Sequence, residues 1–163
     1  MTQELLKELF EYKEDGHFYW KIKKSKKINI GKIAGCLNYR GYREIRLNGK
    51  LYREHRLIWF YHNGVLPING IDHINAIKDD NRIENLREAT QSQNNANNCK
   101  MQGSSSKYKG VSFFKRDKKW SAQIVLNKKQ KHLGYFDEEY IAAQAYNEAA
   151  LKSFGEFARI NKI

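Results

Sequence analysis

Asp72 and His73 are adjacent in this 163-residue chain, and two asparagines, Asn85 and Asn94, follow them. These are the residue types from which a metal-dependent phosphodiesterase is built. Such an enzyme needs a base to activate water and a hard cation to stabilise charge on the phosphate and the leaving oxygen. Histidine titrates near neutral pH and suits the first task. An Asp carboxylate and an Asn carbonyl are oxygen donors that suit Mg²⁺ or Mn²⁺ for the second. Neighbours on a strand point to opposite faces, so Asp72 and His73 reach one phosphate together only where the strand bends or ends. Gly70 and Asn75 on either side permit that.

Each of these residues also has a plainer reading. A lone histidine at a strand end is usually just solvated, and an Asn in a loop is most often a turn former. Asn81 reads as structural, and Asn95, Asn97 and Asn98 compete with Asn94. His55 and His62, seven residues apart, imitate a metal pair, but packing or a backbone hydrogen bond is the expected role of both.

The elements that must position the four residues are readable from local rules. Residues 3–12 read as a short helix with Leu5, Leu6, Leu9 and Phe10 on one face and Thr2 as N-cap. Asp15-Gly16 is a hairpin signal with a strand expected over 17–22. Asn48-Gly49 joins strands expected at 42–47 and 50–53, since Asn-Gly accepts the positive φ that a type I′ turn demands. From Glu54 to about His62 the pattern turns helical, with Gly64 as the stop. The asparagine-rich stretch 69–98 reads as strand, loop, strand and helix, and Thr90-Gln91-Ser92-Gln93 fits a capping box that puts Asn94 one turn inside the helix. Residues 101–107 are small and polar, the best boundary between modules. Beyond it, 109–114, 120–126 and 131–136 read as strands. Asp137 is the expected cap of a final helix that runs to Phe154 on an alanine-rich seam and stops at Gly155.

Composition bounds the function classes. Thirty Lys or Arg against 18 Asp or Glu give a net charge of +12, which points to a polyanionic partner. The charge is unevenly placed: +7 over 1–60, −1 over 61–100 and +6 over 101–163. A site that binds a cation needs its own negative ligand, and Asp72 lies in the near-neutral centre. No apolar run approaches the roughly 18 residues of a membrane span, and the N-terminus does not read as a signal peptide. Two cysteines, Cys36 and Cys99, make no zinc site by themselves and suit a reduced compartment.

The stretches His55-Arg56-Leu57-Ile58, Ile71-Asp72-His73-Ile74-Asn75, Asp80-Asn81-Arg82-Ile83-Glu84-Asn85-Leu86-Arg87 and Gln93-Asn94-Asn95 resemble the HNH nucleases, in particular the phage and intron-encoded homing branch. The resemblance implies a ββα-metal motif, two antiparallel strands and a helix around one divalent ion, with its core at about 69–99. It implies Asp72 as metal ligand, His73 as general base, Asn85 as the asparagine that steadies the loop and orients His73, and Asn94 as second metal ligand.

Residues 106–161 carry a second resemblance. Ser106-Lys107-Tyr108-Lys109-Gly110-Val111, Lys119-Trp120-Ser121-Ala122-Gln123-Ile124, Leu133-Gly134-Tyr135-Phe136 and Ala142-Ala143-Gln144-Ala145-Tyr146-Asn147 are similar to the ethylene-response-factor (APETALA-like) DNA-binding domain. That implies a three-stranded antiparallel sheet laid in the major groove and backed by one helix, with Lys109, Lys119 and Gln123 on or beside the DNA-facing sheet. Ser112, Phe114 and Val125 stand where relatives often carry arginine, so the base preference does not carry over. Independently, Lys115, Arg116, Lys118, Lys119, Lys128 and Lys129 fall at strand ends and turns suited to phosphate contacts. Trp120 is divided between core and base contact. Lys23 and Lys24, in a lysine-rich run, are further candidates for phosphate.

The expectation is an α+β chain: a nuclease module over 1–100, a linker over 101–107 and a DNA-binding module over 108–163. It would hydrolyse a phosphodiester in double-stranded DNA with Mg²⁺ as favoured cofactor, Mn²⁺ as alternative and no zinc site. The expected form is a cytoplasmic monomer or weak dimer without a membrane partner, nicking if monomeric. The rival reading is a DNA-binding regulator whose nuclease module is silent.

Overall fold

The computed structural model describes residues 1–23, 28–99 and 103–163, a mixed α and β chain. It divides into two compact units, Met1–Glu88 and Ala89–Ile163. This division falls upstream of the boundary expected at 101–107 and places the helix that carries Asn94 in the second unit.

The first unit opens with α1 (Gln3–Leu9), capped by the Thr2 hydroxyl, which accepts from the Leu5 amide at 3.3 Å. The helix expected over 3–12 is cut short, because Phe10–Tyr12 form strand β1 and pair antiparallel with β2 (Phe18–Trp20). Tertiary pairing here overrides helical periodicity, and Phe10 stacks on Phe18 with ring centroids 4.9 Å apart. A second sheet joins β3 (Cys36–Leu37), β4 (Arg43–Leu47) and β5 (Lys50–Arg53). Asn48 and Gly49 both take positive φ, 48° and 80°, as the hairpin reading required.

The second helix, α2 (Glu54–Asn63), ends on a left-handed Gly64. Its buried Leu57 and Ile58 pack into one core with Leu6, Phe10, Phe18 and Ile45. Each such side chain contributes roughly 1.5–3 kcal/mol by leaving water. Strands β6 (Gly70–His73) and β7 (Leu86–Ala89) form a two-stranded sheet, and the loop between them closes with a 3₁₀ turn at Ile83–Asn85.

The second unit begins with α3 (Gln91–Asn97), whose Thr90 and Gln93 make the reciprocal capping box. Strands β8 (Val111–Phe114), β9 (Lys119–Leu126) and β10 (Lys129–Phe136) form an antiparallel sheet in the order β10-β9-β8, against which α4 (Glu139–Phe154) packs. Ala142, Ala143 and Ala150 are buried under the sheet, small enough to let helix and sheet lie close. Gly110 makes the approach tighter still: a Cβ there would lie 2.1 Å from the Tyr146 ring. Asp137 does not cap α4; it pairs with Lys119 at 3.3 Å, while Glu138 occupies the cap position without a side-chain bond. Glu139 instead accepts from the Ser106 hydroxyl at 2.7 Å and the Lys107 amide at 3.2 Å.

The C-terminal end of α3 is held within this unit. The Arg159 amide donates to the Ala96 carbonyl at 3.2 Å, and the Lys109 ammonium donates to the carbonyls of Asn95 and Ala96. A cation at the negative end of a helix is the favourable polarity. No helix among the described residues is long and apolar enough to cross a membrane.

Candidate active site

Asp72 and His73 close strand β6, and both side chains are buried, at 5% exposure each. The chain turns directly after them: the Ala76 amide donates to the His73 carbonyl at 2.8 Å, and Ala76 has φ 63°. The strand therefore ends directly at these two adjacent side chains.

Asp72 faces a cation across the sheet. Arg87 of β7 donates to its Oδ2 from Nε and from one terminal nitrogen, both at 2.9 Å. A buried carboxylate is a hard oxygen donor of the type that fits a divalent cation.

The ring of His73 is held by a residue read from sequence as structural. Its Nε2 lies 2.9 Å from Oδ1 of Asn81, and the Asn81 Nδ2 donates to Glu54 Oε2 at 2.8 Å. Glu54, the first residue of α2, is fully buried. Its carboxylate also meets His17 Nδ1 at 2.9 Å and accepts from the Phe18 amide at 2.9 Å, with Arg43 Nε 3.6 Å away. Burial pushes the His73 pKa below its ordinary value, against the raising effects of Asn81 and of Asp72, so the ring is kept as a neutral imidazole.

Asn85 ends the 3₁₀ turn that closes the loop. All of its side-chain bonds go to the loop: Oδ1 accepts from the Asn75 amide at 3.0 Å, and Nδ2 donates to Asn75 Oδ1 at 3.1 Å and to the Asp80 carbonyl at 2.7 Å. These bonds tie the loop together, while the side chain bonded to His73 Nε2 is that of Asn81. The missed signal is weak but present, since Asn81 sits in the Asp80-Asn81-Arg82 run of the nuclease resemblance. Glu54 had none, because a glutamate in a first helical turn is ordinarily a solvated partner of the dipole.

His55, from the same helix, is buried against His73 with ring centroids 5.1 Å apart, and its Nδ1 has no hydrogen-bond partner. Burial first, then the neighbouring His73, brings its pKa down to about 3. His62 is exposed and sets its ring against Tyr12. Among the described residues, His17, Glu54 and Asp79 also form a tight group of metal-capable side chains. Arg43 already contacts both carboxylates, with a two-nitrogen fork on Asp79 at 3.1 and 2.9 Å.

Asn94 lies in the first turns of α3, half-buried, its amide bonded to the Thr90 carbonyl at 2.9 Å. In the same unit, strand register sorts the proposed DNA contacts. Lys119, Ser121, Gln123 and Val125 alternate with Trp120, Ala122 and Ile124 along β9. Ala122 and Ile124 are buried on the helix side. Trp120, expected at either the core or the bases, packs with that side, edge-on to Phe113 at 5.0 Å. Gln123 and Lys119 lie on the opposite face with Ser112, Phe114, Gln130, His132 and Tyr135. Lys115, Arg116, Lys128 and Lys129 are exposed in the two turns and at the start of β10. Lys109 departs from its expected place on the DNA face: its ammonium is committed to the α3 carbonyls, and burial lowers its pKa to about 8. Lys23 is exposed, and Lys24 lies outside the described residues. A cavity of about 500 Å³ beside Lys109, Ile124 and Tyr146 has neither carboxylate nor imidazole in its lining, so hydrolytic chemistry is not placed there.

Comparison with known proteins gives this geometry its context. Residues 52–96 match the family model described as HNH endonuclease. Over 57 residues, 35% of this chain, the sequence is 46% identical to APETALA2-like protein 2 of Oryza sativa, and equally to an AP2-like ethylene-responsive transcription factor of Arabidopsis thaliana. The chain spans only 13% and 12% of the length of those plant proteins. It is 35% identical over 136 residues to an uncharacterised HNH endonuclease of Acanthamoeba polyphaga mimivirus, covering 82% of this chain and 70% of that protein. With the family model lying over the Asp72–His73 strand and a relative aligned along most of both chains, this chain belongs to the HNH endonuclease family.

Proposed function

We propose that the protein is a metal-dependent DNA endonuclease of the homing type, hydrolysing a phosphodiester in double-stranded DNA. Residues 1–100 are read as the nuclease module and 108–163, joined through 101–107, as the targeting module. The observation that carries the reading is the buried Asp72–His73 pair at the end of β6, with the ring of His73 held through Nε2. A neutral, oriented imidazole can take a proton from water. Water so activated attacks phosphorus in line, and the 3′ oxygen departs. Asp72 and Asn94 are the residues that would hold a divalent cation, Mg²⁺ first and Mn²⁺ second. When bound, the cation supplies charge stabilisation at the phosphate and the leaving oxygen. Asn85 holds the loop after β6 in shape through its bonds to Asn75 and Asp80.

The outer face of the β8–β10 sheet is read as the DNA-facing surface, with Gln123 and Lys119 upon it and Lys115, Arg116, Lys128 and Lys129 reaching phosphates around it. One site per chain cuts one strand per engagement, so a monomer nicks.

The test uses supercoiled plasmid with Mg²⁺ or EDTA, comparing wild type with His73→Ala. Nicking by wild type, abolished by EDTA and by the substitution, is the expected result. A plasmid left equally intact by both proteins, while both still shift a labelled duplex, would mean a DNA-binding regulator with a silent nuclease module.

A further inference from the structure

We infer that Glu54 and Asn81 are positioning residues that fix the tautomer of His73, placing its proton on Nε2 and its lone pair on Nδ1. The inference rests on the reading of His73 as base and goes further, by naming the nitrogen that acts and the residues that choose it.

The argument is one of donors and acceptors. Every contact of the Glu54 carboxylate is a group able to donate: the Phe18 amide, His17 Nδ1, Arg43 Nε and Asn81 Nδ2. A carboxylate in that setting only accepts, so the Asn81 amide must turn its NH₂ toward it. The other end of the amide, Oδ1, then faces His73 at 2.9 Å and can only accept. The ring nitrogen opposite it, Nε2, must be the N–H, and in a neutral imidazole that leaves Nδ1 as the basic nitrogen. Glu54 and Asn81 are both fully buried, so water is poorly placed to compete for these bonds. Polarity is thus passed from the start of α2 to the end of β6 through one amide that has no freedom to flip.

Glu54→Gln keeps the shape and reverses the polarity. The Phe18 amide still requires an acceptor at the Oε1 position, so the new NH₂ falls where Oε2 was. Asn81 then gains by turning its oxygen to that NH₂ and its own NH₂ to His73, which favours the tautomer with the proton on Nδ1.

The experiment is nitrogen-resolved NMR of histidine-labelled full-length protein, without metal, at a pH where His73 is neutral, with the His73 signals assigned by their loss in His73→Ala. Wild type is expected to show Nε2 protonated and Nδ1 of the pyridine type. Glu54→Gln is expected to exchange the two, and kcat for nicking to fall by about 10²-fold or more with KM for DNA unchanged. A wild-type ring protonated on Nδ1 would overturn the inference, and so would a Glu54→Gln protein that folds and keeps the wild-type tautomer. The wild-type spectrum decides even if the variant does not fold. Should His73→Ala retain nicking, the base assignment fails while the spectrum still judges the tautomer.

Discussion

Lowering the pH from 7 to 5 should weaken the first unit through His55. The ring lies between Tyr42 and His73, its Nδ1 lacks a partner, and burial holds its pKa at about 3 instead of 6.5, with His73, Arg53 and Arg56 adding to the effect. In the unfolded chain the same residue takes up its proton below about 6.5, but in the folded chain only near 3. Through that window the unfolded state binds more protons, so stability falls as pH falls. At pH 5 the unfolded ring is about 1.5 units below its pKa and the folded ring is still neutral. At about 1.4 kcal/mol per unit, the loss relative to pH 7 is about 2 kcal/mol. His17 works in the other direction: its bond to Glu54 raises its pKa, so it adds stability that is complete below 6.5 and lost as pH rises through the raised value. The two are separated by His55→Phe, in a Trp120→Phe background that leaves Trp20 and Trp59 to report the first unit. Urea unfolding at pH 7 and pH 5 gives each protein's acid-induced loss. The His55→Phe loss should be smaller by about 2 kcal/mol, whatever packing cost the substitution carries at both pH values. Equal losses in the two proteins would refute the reasoning.

Arg87→Ala removes the guanidinium from the buried Asp72 carboxylate and should cost about 3 kcal/mol, seen as a lower melting temperature. Added Mg²⁺ should raise that temperature more than in wild type, and an equal response would count against Asp72 as a ligand. Gly110→Ala sets a Cβ 2.1 Å from Tyr146 and 2.7 Å from the Gln123 carbonyl at φ 76°, and should destabilise the second unit by about 2–4 kcal/mol in a thermal melt. Replacing Lys115, Lys119, Lys128 and Lys129 together by Gln should flatten the log–log salt dependence of duplex binding by roughly 0.9 for each phosphate no longer neutralised. An unchanged slope would remove these lysines from the interface.

What was legible in the sequence was local. The Asn48-Gly49 turn, the Gly64 stop and the Thr90–Gln93 box each depend on a few neighbouring residues, and each is found as read. Phe10–Tyr12 was misassigned because helical spacing cannot announce a strand partner at Phe18–Trp20. The place of Asp72 and His73 at a strand end was readable, because adjacency and a flanking turn suffice for it. The grip on His73 was not. It passes through Asn81 and Glu54, 27 residues apart, whose meaning exists only once α2 is packed beside the loop. Lys109 was misplaced for a related reason: a module's own pattern says nothing of a helix lying just before it.

That anchoring of α3 bears on how such a protein can be recombined. The family match at 52–96 runs past the division at Glu88–Ala89, and the carbonyl end of α3 is served by Lys109 and Arg159 from farther along the chain. A crossover at 101–107 that exchanges the sheet and helix beyond it would cut α3 off from its lysine and from the amide that caps it. The incoming module would have to bring both, so the heritable piece is longer than the motif by which it is recognised. A join placed before Thr90 would keep α3 with the sheet that holds it, and the incoming helix would then also have to carry the proposed metal ligand Asn94.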